Sequence, residues 1–384
     1  MRQRAVGALT ELKRRWGPVG TRLRARQPQA LQRATQQRDL GLTALLIILA
    51  SWGDVTYAHG LVKGLPAVGF APPYGVFPVQ GATPIGLEEV LGDWQKHNAE
   101  TIRRLKPGRL DQVLLEQTLA DAAQGFCSEP LSQAGVQRLL KGQPFRVIPR
   151  CVITQGSGKH RIIDNAAEGG QSATSADSNK LVLCSPLRPA QHLRATLSYM
   201  SEADLAVARA EESRACVVCF WHDEWQQPAF QVYAGLLFGL PLAVTSFNRY
   251  SRLVEALGRR LVLTMVSLYF DDATVGDWAS SKGSGQWAFG QLNALLGTPF
   301  AESKRQPMSH RGDFLGLAHD MSRALSDGQA AKFYGILNFF EQGVYGKVGA
   351  GSLWAIKERQ YEATTQLTPD IRDNFRYIRV IIRA

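Results

Sequence analysis

The chain lacks most of the features that would assign it to a class at a glance. It holds five cysteines, Cys127, Cys151, Cys184, Cys216 and Cys219, an odd number without framework spacing. That excludes a disulfide-stapled scaffold and fits reduced, intracellular thiols. Cys216 and Cys219 stand two residues apart near His222, which raises a zinc site. Residues 215–221 read as a strand, however, so the two sulfurs face opposite ways and the spacing argues against zinc. No apolar run is long enough to span a bilayer. The run 40–50 is too short and lies too far from Met1 for an ordinary signal peptide, so it reads as a buried helix, and a membrane partner is not expected. There is no internal repeat. Gly158-Lys159 is no phosphate loop, because Ile153 stands where the first glycine is needed and His160 where Ser or Thr is needed. No dinucleotide glycine fingerprint opens a helix after a strand. Nucleotide-loop ATPases and Rossmann dehydrogenases are thereby poor candidates.

What is present is an ordinary globular composition with a basic excess. The 384 residues are 45% hydrophobic and 20% charged, with a formal charge of +11. That length supports several subdomains with real cores, and the charge suits a polyanion partner. The charge is uneven. Residues 1–40 carry ten Lys/Arg against Glu11 and Asp39, a net of +8, which leaves +3 for the rest. This arm is Arg-rich but has no serine, which weakens a transit-peptide reading. It reads as a solvated tail, with contact to nucleic acid as the alternative.

Residues 53–90 are rich in Gly and Pro and read as a connector draped over the surface. Residues 87–123 carry helical stripes, Leu87, Val90, Leu91 and Trp94, then Leu110, Val113, Leu114 and Leu119. Residues 145–152 and 161–164 read as two strands around the turn 155–158. Residues 215–221 and 229–234 read as a hairpin turning at 223–228. Helices are expected over 241–257 and 286–296, and helical periodicity returns over 328–342. The apolar, partly β-branched run 261–268 reads as a buried strand. With 215–221 and 229–234 it is expected to form one antiparallel-rich sheet, backed by the helix that holds Phe247.

That last strand ends in Tyr269-Phe270-Asp271-Asp272. Neighbours on a strand point to opposite faces, so two adjacent carboxylates reach one site only at a tight turn. They repel each other unless cations neutralise them, and hard divalent cations prefer oxygen ligands. Upstream, Gly239-Leu240-Pro241 leads into a helix whose free N–H groups and glycine allow close approach of a nucleotide. Further upstream stands Lys159-His160-Arg161-Ile162-Ile163-Asp164-Asn165. Downstream come Leu295-Leu296-Gly297-Thr298-Pro299-Phe300, then Lys304, then Asp313-Phe314-Leu315-Gly316-Leu317.

The tetrad resembles the tyrosine-x-aspartate-aspartate signature of reverse transcriptases. The other four segments resemble that family's fingers hairpin, glycine-helix, lysine motif and primer-gripping hairpin, in family order over residues 145–317. The resemblance implies an α+β right-hand polymerase, with fingers, palm and thumb and an antiparallel palm sheet backed by helices. It divides the chain into a basic arm (1–40), an apolar helix and connector (41–86), fingers-like (87–200), palm-like (201–325) and thumb-like (326–384) regions. There is no room for a convincing RNase H or integrase domain.

The resemblance also implies template-directed DNA synthesis by a retroelement-type RNA-directed DNA polymerase. Two Mg²⁺ ions, or Mn²⁺ in their place, would be held by Asp271, Asp272 and a third aspartate on an upstream strand. The partners would be an RNA or DNA template with primer and deoxynucleoside triphosphates. Lys159 and Arg161 would hold triphosphate, Gly239 would admit the nucleotide and Lys304 would assist the leaving pyrophosphate. One position departs from the family. The only suitably placed third acid is Asp204, which lies closer to the next strand than the pattern asks. Arg209 stands where an aromatic residue belongs, and 203–212 prefers helix. The expectation is therefore a weak or inactive polymerase. The rivals are a catalytically inactive nucleic-acid-binding relative and an unrelated structural or membrane-associated protein.

Overall fold

The computed structural model describes residues 1–156, 158–182, 209–237, 239–277, 281 and 283–309, with backbone alone at 198–199, 311–314 and 317–320. The chain divides into two compact units, Met1–Ser309 with Asp313–Leu317, and His310–Gly312 with Ala318–Ala384. The first is described below. The helical expectation over 328–342 and the candidate Asp204 lie outside the described residues.

The fold is α+β with several small sheets. The amino end is α1 (Arg2–Ala25), α2 (Gln29–Ala34), α3 (Leu40–Leu49) and α4 (Thr56–Lys63). The tail reading of the basic arm is thereby corrected, because α1 is docked. Its Val6 and Leu9 are buried with Leu42, Leu46 and Ile47 of α3 and with Phe289 and Leu292. Two glycines make the α1–α3 crossing close: a Cβ on Gly41 would meet the Trp16 carbonyl oxygen at 2.6 Å and the Gly20 nitrogen at 2.9 Å. The Asp39 carboxylate caps α3, accepting from the Leu42 amide at 2.8 Å. The apolar helix is buried as expected over its first two turns, with Leu40, Leu42, Leu46 and Ile47 at 2% exposure or less, while Ile48 and Leu49 at its end are exposed.

The Gly/Pro-rich stretch is also corrected. Only its later part, residues 78–89, lies at the surface; before it Ala67, Val68 and Ala71 are buried, and Phe70–Ala71 (β1) pairs in parallel with Ala176–Asp177 (β4). Its lack of periodicity hid this, since irregular backbone can still bury side chains when its amides find partners. Here Glu212 accepts from the amides of Ala67 and Val68 at 2.6 and 3.3 Å.

The predicted helical stretch 87–123 is broken into α5 (Leu87–Leu91), α6 (Trp94–Arg104) and α7 (Asp111–Ala123), followed by α8 (Gln133–Leu139). Val147–Thr154 (β2) and His160–Asp164 (β3) form the expected hairpin, and Val217–His222 (β6) with Gln227–Val232 (β7) forms the next. These four strands make one sheet in the order β3-β2-β6-β7, with β2 and β6 parallel. Cys216 and Cys219 face different cores on its two sides, as the strand reading requires.

The expectation of a single sheet is not met. Met265–Tyr269 (β8), Asp272–Gly276 (β9) and Ser198–Tyr199 (β5) form a separate three-stranded antiparallel sheet, ordered β5-β9-β8. The β6–β7 hairpin had its free edge taken by β2 instead. The strand is also shorter than the apolar run suggested. Residues 261–264 form a reversal in which Leu263 has φ +51° and the Thr264 amide donates to the Gly258 carbonyl at 3.0 Å. Helix α9 (Ala243–Arg260) backs this sheet as expected and buries Leu253, Val254 and Leu257 with Val266 and Leu268 of β8. At its end the Arg259 guanidinium donates to the Val266 carbonyl at 2.7 and 2.9 Å, tying helix to strand. Helix α10 (Ser284–Leu296) completes this core with Phe289, Leu292 and Leu296. Beyond it, Arg311–Phe314 (β10) and Leu317–Asp320 (β11) form a two-stranded sheet.

Candidate active site

The β8–β9 hairpin closes with a two-residue loop. Tyr269 pairs with Asp272, leaving Phe270 and Asp271 as the central residues. Phe270 has φ +54°, a left-handed conformation that a bulky side chain adopts at a cost of order 1–2 kcal/mol. A positive φ at the first central residue alone gives the primed turn that matches strand twist. The surroundings hold it there. The Ser251 hydroxyl donates to the Phe270 carbonyl at 2.9 Å. The Phe270 ring lies against Tyr269, edge-on at 5.0 Å, and near Phe247 at 6.5 Å.

The turn presents Asp271 and the first strand residue presents Asp272, both half-buried. Neither carboxylate accepts a hydrogen bond or ion pair among the described residues, unlike other enclosed aspartates. Asp54 receives Arg249 at 2.6 Å, Asp164 receives Arg150 at 2.7 Å, and Asp277 receives Arg2 at 2.7 Å. Burial first, and the neighbouring Asp271 charge second, push the Asp272 carboxyl up to about 6. Lys304 opposes this with its positive charge. It sits in a short 3₁₀ turn, Glu302–Lys304, where the one nearby acid, Glu302, is taken by Arg305 at 3.3 Å. Arg305 also donates to the Gln286 side chain on α10 at 3.2 and 3.3 Å, which anchors the turn.

A pair of carboxylates that repel each other, without protein cations bonded to them, is an oxygen donor set that fits a hard divalent ion. No group of three or more metal-ligating side chains is assembled among the described residues. Directly across β9 from Asp272 is Tyr199 of β5, in register. The position next to the aspartate pair on the adjacent strand is therefore not an acid.

The triphosphate candidates Lys159 and Arg161 lie on the β2–β3 hairpin, exposed and without ion pairs among the described residues. Gly239 has φ +101°, and a Cβ there would meet the Asp164 carbonyl oxygen at 2.6 Å. Its freedom is thus used at the end of β3, joining the loop before α9 to the base of that hairpin. Asp164 is fixed by a two-pronged bond from Arg150, which also donates to the Tyr233 hydroxyl at 2.6 Å. Sequence reasoning missed Ser251 and Tyr199. A small hydroxyl residue amid the buried stripe of α9 is a faint signal for the first; the second depends on a strand pairing that no local pattern encodes. Compared with models of known protein families and with the sequences of characterised proteins, the chain matches none.

Proposed function

We propose that this chain is a reverse-transcriptase-like nucleotidyltransferase of right-hand polymerase type, with Asp271 and Asp272 as its metal-binding carboxylates. The observation that carries the reading is the carboxylate pair at the strained Phe270 turn, unpartnered among the described residues, with the Asp272 carboxyl raised to about 6. Strained backbone at a tight turn is where functional geometry is commonly held. When bound, a divalent cation supplies Lewis acidity at the primer hydroxyl and charge neutralisation at the phosphates. Asp271 holds it from the turn and Asp272 from the first residue of β9. Lys304 offsets negative charge beside the pair as pyrophosphate leaves. Lys159 and Arg161 grip the incoming triphosphate. The substrates are deoxynucleoside triphosphates and a primed RNA or DNA template.

A second reading is favoured by Tyr199 in register with Asp272. With no acid at that position, the described residues hold a metal from one side only, and misplacement by about an ångström already costs on the order of a hundredfold in rate. On this reading the chain binds nucleic acid with little or no catalysis. Primer extension on a primed homopolymer with Mg²⁺ or Mn²⁺ separates the two. Slow extension that disappears in Asp271→Asn supports the first reading. Template binding without extension supports the second.

A further inference from the structure

Helix α1 sorts its basic side chains by direction. Residues 2–25 contain seven Lys/Arg against the single acid Glu11. Three of the seven face inward and fasten the helix. Arg2 binds Asp277 at 2.7 Å and the Ser284 hydroxyl, Lys13 donates to the Leu295 carbonyl at 2.7 Å, and Arg24 donates to the carbonyls of Thr35 and Arg38 at 2.9 and 2.6 Å. The outward set differs. Arg4 and Arg22, with Arg26 just past the helix, are exposed and make no ion pair or side-chain hydrogen bond among the described residues. Arg15 is exposed too and shares Glu11 with Arg14.

These four arginines form a line. At 3.6 residues per turn, positions 4, 15, 22 and 26 fall within about 40° of one another around the axis, and they span about 33 Å. That length matches about one turn of duplex nucleic acid, which carries one charge per ~1.7 Å of axis. Arginine's planar fork suits phosphate oxygens better than a point charge does. The line is rigidly mounted, since the opposite side of α1 buries Val6 and Leu9 and closes on α3 at Gly20 and Gly41. A bilayer-binding helix presents an apolar face beside its basic one, and the apolar face of α1, with Val6 and Leu9, is already in the core; the exposed Ile48 and Leu49 belong to α3.

We infer that the outer face of α1 is a docking surface for the sugar-phosphate backbone of duplex nucleic acid, engaged by Arg4, Arg15, Arg22 and Arg26 without regard to sequence. This surface is separate from the aspartate turn. Arg2 fastens the start of α1 beside Asp277, five residues along from Asp272, or about 16 Å of strand. The inference does not require the hairpin to be catalytic.

The test is fluorescence anisotropy with a labelled duplex of about 20 base pairs, longer than the stripe at 3.4 Å per base pair. The full chain is compared with a variant carrying Arg4→Gln, Arg22→Gln and Arg26→Gln, which removes side chains that hold nothing in the fold. Circular dichroism and Mn²⁺ binding confirm that the variant is folded and its aspartate pair intact. The expected result is a duplex affinity lower by on the order of a hundredfold at about 0.1 M salt, with the log–log salt slope reduced by about 2.7. The readout is duplex binding by the wild-type chain and the α1 variant alone, so loss of the catalytic reading leaves this one standing. An unchanged salt slope in the triple variant overturns the inference. So does unchanged duplex binding accompanied by lost binding to phosphatidylserine vesicles, which would assign the face to lipid.

Discussion

The Ser251 hydroxyl of α9 donates to the Phe270 carbonyl at 2.9 Å, so the turn that carries the aspartate pair is fixed by a helix and not by its own strands alone. Ser251 is buried and its partner is a turn carbonyl with no sheet partner. Ser251→Ala should therefore cost about 1–2 kcal/mol in urea unfolding, the desolvation penalty of a stranded carbonyl. It should also lower divalent-cation affinity, because the left-handed Phe270 loses its restraint. Ser251→Thr, which keeps the hydroxyl, separates loss of the bond from loss of volume.

The Asp272 carboxyl is raised from 3.8 to about 6. A raised folded-state pKa means that the folded protein holds the proton more tightly than the unfolded chain does. This contribution to stability is fully present below about 4 and is lost as pH rises through about 6. Asp272→Asn should consequently stabilise the metal-free protein at pH 8 relative to wild type, by about 1 kcal/mol after screening of a half-exposed group. At pH 4 the two should unfold alike. Cation binding runs the other way: it should weaken as pH falls through about 6, because the proton and the cation compete for Asp272.

Arg249 and Asp54 form a buried bidentate pair, 2.6 and 3.0 Å, with Arg249 also stacked 3.7 Å over Tyr74. Arg249→Met should destabilise by about 3–5 kcal/mol, because it leaves Asp54 charged and buried. Adding Asp54→Asn should recover much of that loss. Thermal unfolding of the two single variants and the double variant measures the coupling.

The register of Tyr199 with Asp272 gives a prediction of gain. Tyr199→Asp places a third carboxylate on the strand beside the pair. Mn²⁺ affinity measured by calorimetry should rise, on the order of tenfold for about 1.4 kcal/mol. An unchanged affinity would mean that the third ligand comes from elsewhere.

Much of this site could be read in the sequence, for local reasons. Asp271 and Asp272 had to sit at a turn to act together, and Tyr269 pairing with Asp272 makes that turn. The β2–β3 and β6–β7 hairpins followed from apolar alternation around polar turns, and α9 from its stripe. What could not be read depends on contacts distant in sequence. The docking of α1 rests on Gly20 meeting Gly41, and on Arg2 finding Asp277. The split into two sheets follows from β2 pairing in parallel with β6, a choice between equally plausible edges. The room that Gly239 leaves is also used within the fold, since a Cβ there would meet the Asp164 carbonyl, a contact set by a strand end 75 residues away.

The central claim, that the Phe270 turn presents a cation-binding carboxylate pair, is tested most directly by titrating Mn²⁺ into the full chain at neutral pH and counting free ion by electron paramagnetic resonance. The account predicts saturable binding that is abolished in Asp271→Asn, weakened in Asp272→Asn and strengthened by a deoxynucleoside triphosphate. Identical Mn²⁺ binding by wild type and Asp271→Asn would contradict it.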